Sequence, residues 1–216
     1  LCMNDDAVFD EKFLFYMVET AEKNPRSIVG AVLLLWDAPH RVFQVAPHWD
    51  TWAGGWRHWQ KQTVWTLPEK PFEVELIVGN CVMYPAAAVR EVGLMDAARF
   101  IQFGDVEYTP RMRKRGWRLL IDPRARVFCQ PNDEPPRIRR MSFTQMFNAL
   151  VFDLKNIHNL RKRFYVHWYS APNRLSGIAA FMIFLLRAAV GKSAEKVSGQ
   201  PEAKLADIFA KVQVKD

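Results

Sequence analysis

The order of apolar segments along the chain predicts an α/β fold. Residues Asp10–Lys23 place apolar side chains about one helical turn apart, which predicts an amphipathic helix ending at Asn24-Pro25. The apolar run Ser27–Trp36 has the length of a strand and predicts a strand buried on both faces. A helix followed by a buried strand is the order found in an α/β layer.

The middle of the chain is predicted to continue this alternation after a long irregular segment. Residues 37–70 lack periodicity and are rich in tryptophan, which predicts a long loop or irregular hairpin. Contact with a sugar or lipid and simple packing over the core are equally open for these tryptophans. The next predicted elements are a strand over Phe72–Met83, a short helix over Pro85–Val92 closed by Gly93, a helix over Asp105–Gly116, and a strand over Arg118–Phe128 interrupted by Pro123.

The C-terminal part of the chain is predicted to be helical. The Pro135-Pro136 pair favours a boundary, so we divide the chain into residues 1–134 and a helical extension over 135–216. Predicted helices cover Phe143–Phe164, Gly177–Val190 and a short segment at 203–212. The apolar run Gly177–Val190 is shorter than the ~20 residues needed to span a bilayer. With basic residues before it, this run favours contact with a membrane surface, and packing against the domain or a second subunit is the alternative.

Charge is unevenly distributed along this chain of net charge +7. Between Arg111 and Arg126 the chain has seven basic residues and one acidic residue. This excess indicates an anionic partner such as a nucleotide diphosphate, nucleic acid or membrane surface. A solvated basic face is the alternative. The three cysteines are widely spaced, which favours a reducing, cytosolic setting over a disulfide framework. Because the chain begins at Leu1 rather than Met, we expect that an N-terminal part precedes it.

Two acidic clusters have the composition of a reaction centre. Asn4-Asp5-Asp6 follows an apolar strand end, where ligands bind in α/β sheets and where carboxylates can hold Mg²⁺ or Mn²⁺ on a diphosphate. A simple turn is the alternative. Asp105 and Glu107 stand at the start of a predicted helix, whose dipole is expected to lower their pKa and keep them ionised. An ionised carboxylate can accept a proton from a sugar hydroxyl, although a helix-capping pair has the same pattern.

The order of these pieces resembles the inverting glycosyltransferases of family two, which have the GT-A fold. The resemblance covers roughly Leu1–Cys129, and its most specific part is Glu91–Val127, with the sequence EVGLMDAARFIQFGDVEYTPRMRKRGWRLLIDPRARV. It implies the C-terminal half of a catalytic domain with a Rossmann-like mixed sheet and flanking helices, followed by the helical extension. It also implies that the expected N-terminal part binds the nucleotide.

The resemblance implies a role for each matching residue. Asp105 matches the catalytic base, and the acceptor side is matched by Glu107, Gly79, Asn80 and Arg111. The metal-binding motif is matched by Asp6 and Asn4, and Asp5 is expected to bind the donor. Cys129 stands where a His usually completes the metal site. Two positions depart from the family pattern. Gly104 replaces a frequent Glu, and the sulfur of Cys129 is a softer ligand than Mg²⁺ or Mn²⁺ prefers.

The expected function is therefore transfer of a sugar, with inversion, from a nucleotide-diphosphate sugar to a glycan or lipid-linked acceptor. A divalent metal, Mg²⁺ or Mn²⁺, is the expected cofactor. We expect peripheral contact at the cytoplasmic face of a membrane, a place in cell-surface polysaccharide biosynthesis, and no nucleic-acid partner. The donor sugar stays open among hexosyl, rhamnosyl and galactofuranosyl classes. A non-catalytic RNA- or membrane-binding module and an inactive transferase are the alternatives.

Overall fold

The structure is a computed structural model that describes residues 1–79, 81–100, 103–130 and 141–189. The strands are β1 (Cys2–Met3), β2 (Ala7–Phe9), β3 (Ser27–Leu35), β4 (Val42–Gln44), β5 (His48–Asp50), β6 (Gly55–Arg57), β7 (Phe72–Glu73), β8 (Cys81–Met83) and β9 (Arg118–Cys129). The helices are α1 (Phe13–Lys23), α2 (Ala86–Val92), α3 (Gly104–Lys114), α4 (Phe143–Val151), α5 (Leu160–Ser170) and α6 (Arg174–Ala189). Asn80, Val190, the predicted helix at 203–212 and the predicted boundary at 134–135 lie outside the described residues.

Seven strands form one mixed sheet, which confirms the predicted α/β architecture. The strand order is β1-β8-β3-β9-β2, with β4 added to β3 and β7 added to β9. Strands β3 and β9 pair in parallel, and the other pairings are antiparallel. The hairpin of β5 and β6 forms a separate two-stranded sheet within the predicted irregular segment.

Strand β3 is the centre of the fold because both of its faces are covered by helices. Its odd-numbered residues Val29, Ala31 and Leu33 pack with Phe13 and Met17 of α1. Its even-numbered apolar residues pack in a second cluster with α2 and α3; they are Ile28, Val32 and Leu34. Alternate residues of a strand point to opposite faces, so an uninterrupted apolar run is what two covered faces require.

Strand β9 contains the irregularity that the sequence predicts at Pro123. Its register against β3 jumps from Asp122 to Arg126, which leaves the residues between them outside the ladder. Proline has no backbone N–H to donate to a neighbouring strand. The buried Asp122 carboxylate stabilises the bulge, because it accepts hydrogen bonds from Thr20 Oγ1 (2.6 Å) and Arg124 Nη2 (2.8 Å).

The prediction of a single strand over Phe72–Met83 is wrong. Strand β7 pairs with β9, whereas β8 pairs with β1 and β3, and residues 74–79 between them belong to neither ladder. Leu76 and Ile77 are nevertheless buried in this connection. Apolar burial without strand pairing looks the same as a strand in the sequence pattern, so periodicity alone does not separate the two.

The prediction of a single helix over Phe143–Phe164 is also wrong, because α4 and α5 are separate. Asp153 Oδ1 accepts the backbone N–H of Lys155 (3.0 Å), and Asn159 Oδ1 accepts that of Lys162 (3.0 Å). Asn and Asp side chains compete with helical hydrogen bonds and favour caps and turns. Asn159 therefore begins a new helix where the apolar pattern continues.

The C-terminal helices pack against the tryptophan-rich segment. Trp56 Nε1 donates to Ser170 Oγ of α5 (2.9 Å), and Trp49 Nε1 donates to Ser176 Oγ of α6 (2.7 Å). Arg187 Nη1 donates to the carbonyl of Ala53 (2.7 Å). These bonds hold α5 and α6 over the β5–β6 hairpin. The division of the chain into residues 1–134 and 135–216 stays a prediction.

Candidate active site

A cavity of about 750 Å³ lies at the end of β9 and beneath α5. Its volume falls within the ~300–1,000 Å³ typical of small-molecule sites. The polar and aromatic residues that line it are Asn4, Asp6, Phe43, Gln44, Trp49, Trp56, His58, Phe103, Asp105, Cys129, Gln130, Lys162, Arg163 and His167. The cavity therefore brings together four of the predicted site residues, Asn4, Asp6, Asp105 and Cys129.

The turn between β1 and β2 places Asn4 and Asp6 at the cavity. Strand β1 joins the sheet on the β8 side of β3, and β2 joins it on the β9 side, so residues 4–6 cross the sheet at the end of β3. Ala7 pairs with Cys129, which brings Asp6 beside the end of β9. Asp5, the predicted donor-binding residue, is exposed and does not line the cavity.

Asp105 is the second residue of α3, and it is one of the residues that line the cavity. Its Oδ2 accepts the backbone N–H of Gly79 at 2.8 Å. Burial raises the pKa of Asp105 above its usual value, while the hydrogen bonds from the backbone of Gly79 and Val106 oppose this shift. The expectation that the helix dipole lowers this pKa is therefore wrong, because desolvation of the charged form outweighs it.

Gly79 fits closely against Asp105. A Cβ atom at position 79 would lie 2.7 Å from Asp105 Cβ and 3.1 Å from Asp105 Cγ. Carbon atoms in favourable contact are about 3.5–4.0 Å apart, so no larger residue fits here without moving the carboxyl group. The acceptor role predicted for Gly79 stays a prediction, and the structure adds that this glycine positions Asp105. Its predicted companion Asn80 lies outside the described residues.

Glu107 and Arg111 lie together outside the cavity. Glu107 is 5% exposed, and its Oε1 is 2.7 Å from Arg111 Nε. Arg111 also donates to the carbonyls of Val92 (2.9 Å) and Leu94 (2.8 Å), which ties α3 to the end of α2. Burial raises the pKa of Glu107, and Arg111 opposes that shift. Residues two apart on a helix do not share a face, so Asp105 and Glu107 point to different surroundings.

The donor atoms at the cavity do not fit the hard-cation site that the resemblance implies. Asn4 and Asp6 offer oxygen atoms, but Cys129 offers a buried sulfur whose thiol donates to the carbonyl of Leu34 at 3.6 Å. A protonated thiol is not a metal ligand, and a thiolate is too soft for Mg²⁺ or Mn²⁺. Within the described ranges, no three His, Cys, Asp or Glu side chains lie close enough to hold a metal ion. The metal roles of Asn4, Asp6 and Cys129 stay predictions.

Local sequence patterns did not point to the residues that α5 contributes to the cavity. Lys162, Arg163 and His167 lie far from the acidic clusters in sequence and reach them only because α5 packs over the β5–β6 hairpin. His167 is held by two carbonyls, with Nδ1 2.6 Å from Arg163 O and Nε2 3.0 Å from Gly54 O. The excess of basic residues between Ile138 and Trp168, six against one acid, is the signal in the sequence that points to them.

Comparison with known proteins gives limited information. No protein-family model matches the chain. No curated protein matches it either. Among solved structures, the chain is similar to a crystal structure of GalNAc-T7 with UDP, GalNAc and Mn²⁺, with 13% identity and a TM-score of 0.49. The match covers 97% of this chain, which spans 40% of the length of that structure. Similarity at this level does not establish a shared activity.

Proposed function

We propose that this chain is part of a glycosyltransferase that moves a sugar from a nucleotide-diphosphate sugar to a hydroxyl acceptor with inversion, and that Asp105 is the base. The proposal extends the family-two resemblance to the cavity. The observation that supports it best is the position of Asp105, which lines a ligand-sized cavity and whose carboxyl group accepts the Gly79 N–H.

The surroundings of Asp105 suit a general base. A carboxylate with a raised pKa is a stronger base than one in water, and a general base is most effective when its pKa approaches the working pH. In the proposed reaction the acceptor oxygen forms a bond to the anomeric carbon, and its proton passes to Asp105. The bond between that carbon and the diphosphate oxygen breaks, and its electron pair leaves with the nucleoside diphosphate. Attack from the side opposite the leaving group inverts the anomeric centre.

The aromatic part of the cavity suits a sugar ligand. Trp49 and Trp56 line it and meet edge to face, with ring centroids 5.3 Å apart. Apolar ring faces pack well against the C–H faces of a sugar, and the indole N–H groups already bond to Ser170 and Ser176. We therefore extend the proposal to sugar contact for these two tryptophans. Trp52 and Trp65 are 80% and 76% exposed and lie outside the cavity.

The replacement Asp105→Asn tests the catalytic assignment in the full-length protein. It removes the proton acceptor and keeps the size of the side chain, so we expect turnover to fall by about 10²–10⁴-fold. Donor affinity should change little, which isothermal titration with the nucleotide sugar would show. In the wild-type enzyme, the acid limb of kcat against pH should lie above the pKa of about 3.9 of an aspartate in water. Near-normal turnover by the variant would exclude Asp105 as the base.

The RNA-binding alternative receives little support from the basic segment. Arg118 pairs with Glu73 (3.2 Å), and Arg124 pairs with Asp122 (2.8 Å) and Glu19 (2.9 Å). Charges that are neutralised within the protein attract phosphate groups less. A thermal-shift comparison separates the two functions: a nucleotide sugar should raise the melting temperature of the full-length protein, and an RNA oligonucleotide should not.

Membrane contact at the cytoplasmic face is a further part of the proposal. None of the helices that the structure describes is long and apolar enough to cross a bilayer. Helix α6 exposes apolar residues along one stripe, at Leu175, Ile178, Met182 and Leu186. Arg174, at the start of the same helix, is exposed and suits anionic headgroups. The lipid-linked acceptor of the sequence analysis fits such a surface.

Vesicle flotation tests this membrane surface. The protein should float with vesicles that contain phosphatidylglycerol and less with pure phosphatidylcholine, because a basic rim favours anionic lipid. The double replacement of Leu175 and Met182 by Ser should abolish flotation. Leu94→Ser, at an equally exposed leucine away from α6, is the matched control. Equal flotation of both variants would contradict the proposal.

A further inference from the structure

Two cations of α5 lie in the wall of the cavity that holds Asp6 and Asp105. They are Lys162 and Arg163, which are consecutive in sequence and are placed by the cap at Asn159, whose Oδ1 accepts the N–H of Lys162. They reach the cavity from α5, which packs over the β5–β6 hairpin. Neither belongs to the segment that resembles family two, so the resemblance implies no role for them.

The fold holds both side chains in fixed positions. Lys162 is 2% exposed; its Nζ donates to the carbonyl of Lys155 (3.4 Å) and lies 5.0 Å from the centre of the Phe103 ring. Arg163 Nε donates to the carbonyl of Ile157 (2.8 Å), and its guanidinium lies 5.4 Å from the centre of the Phe184 ring. The carbonyl and the ring face orient the Arg163 guanidinium without cancelling its charge.

The buried position of the Arg163 guanidinium is electrostatically costly unless an anion offsets its charge. Across the part of the chain that the structure describes, Arg163 forms no ion pair with a carboxylate. Burial lowers the pKa of both Lys162 and Arg163, which reflects the unfavourable loss of water around each charge. An anionic ligand in the cavity would offset this cost.

We propose that Lys162 and Arg163 form the subsite for the diphosphate of the donor and neutralise the charge of the departing nucleoside diphosphate without a metal ion. This inference rests on the proposed transfer reaction. When the bond to the anomeric carbon breaks, the terminal phosphate oxygen gains a negative charge. A guanidinium and an ammonium group are both established phosphate ligands. The thiol of Cys129 leaves the metal motif one suitable ligand short, so these cations supply the positive charge that the site requires.

Binding of inorganic pyrophosphate tests the subsite separately from sugar transfer. Isothermal titration of the full-length protein with pyrophosphate in the presence of EDTA should show binding. Lys162→Met keeps most of the apolar stem and removes the charge, so we expect its affinity to fall about tenfold or more. Lys162→Arg and Arg163→Lys should retain most of the affinity. Arg161→Met removes an exposed cation from the same helix, outside the cavity, and is the matched control.

Two results would overturn the inference. One is unchanged pyrophosphate affinity in a folded Lys162→Met variant; the other is binding that EDTA abolishes and Mn²⁺ restores. If Lys162→Met does not fold, Arg163→Gln is titrated instead. Its pyrophosphate affinity should fall about tenfold or more, and an unchanged affinity in the folded variant also overturns the inference.

The Asp105→Asn variant distinguishes this inference from the proposed function. It should bind pyrophosphate while losing sugar transfer, because the base and the diphosphate subsite are separate groups. If Asp105→Asn transfers sugar normally, the proposed function fails, whatever the titrations show. If the wild-type enzyme transfers sugar but Lys162→Met binds pyrophosphate normally, only the inference fails.

Discussion

Gly79 lies directly against Asp105, so a single methyl group at this position tests how the carboxylate is placed. The new Cβ of Gly79→Ala would lie 2.7 Å from Asp105 Cβ, about 0.8 Å inside the shortest favourable carbon contact. The Asp105 Cβ belongs to the rigid start of α3, so the strain cannot be relieved by rotating a flexible side chain. The carboxyl group must shift, and the 2.8 Å hydrogen bond from the Gly79 N–H must lengthen.

We expect Gly79→Ala to reduce kcat/KM by about 10²-fold, because misplacing a reacting group by about 1 Å has an effect of that order. Overpacking should also cost about 1–3 kcal/mol of unfolding free energy. The assay measures nucleoside diphosphate released by the full-length enzyme from a panel of nucleotide sugars. Gly104→Ala is the matched control, since the one contact its Cβ would make with the described residues is Met95 Sδ, at 3.4 Å. Full activity of Gly79→Ala would refute the view that this glycine positions the proposed base, Asp105.

Two further predictions concern stability. Arg111→Met leaves the buried Glu107 carboxylate without its ion pair, so the free energy of unfolding measured in urea should fall by about 3 kcal/mol. Adding Glu107→Gln to this variant should recover part of the loss. A loss no larger than that expected for an exposed ion pair would contradict the importance of this pair. Burial lowers the pKa of His167, so the unfolded chain binds a proton more readily than the folded one. The contribution of neutral His167 to the stability of the fold should be complete above the pKa of about 6.5 that a histidine has in water, and it should be lost as the pH falls towards the lower pKa of His167 in the folded chain. If the melting temperature of His167→Gln depends on pH in the same way as that of the wild type, this prediction is wrong.

The regular elements with strong local patterns could be predicted from the sequence. Helix α1, the buried strand β3 and the break in β9 at Pro123 follow from periodicity and from proline's missing N–H. The positive φ of Gly93 (83°) likewise follows from its place after a helix. Segments whose apolar residues are buried without regular pairing were mispredicted, because burial and strand pairing leave the same pattern.

The sequence by itself determined the α/β alternation and singled out Asp105, because local periodicity and the resemblance over Glu91–Val127 depend only on neighbouring residues. Tertiary structure decided the surroundings of that residue. The helical geometry of α3 turns Asp105 to the cavity and Glu107 to Arg111, although the two acids are nearly adjacent in sequence. The packing of α5 over the β5–β6 hairpin brings Lys162 to the same cavity across a large separation in sequence. Such long-range contacts arise from packing of whole elements, which no local pattern records.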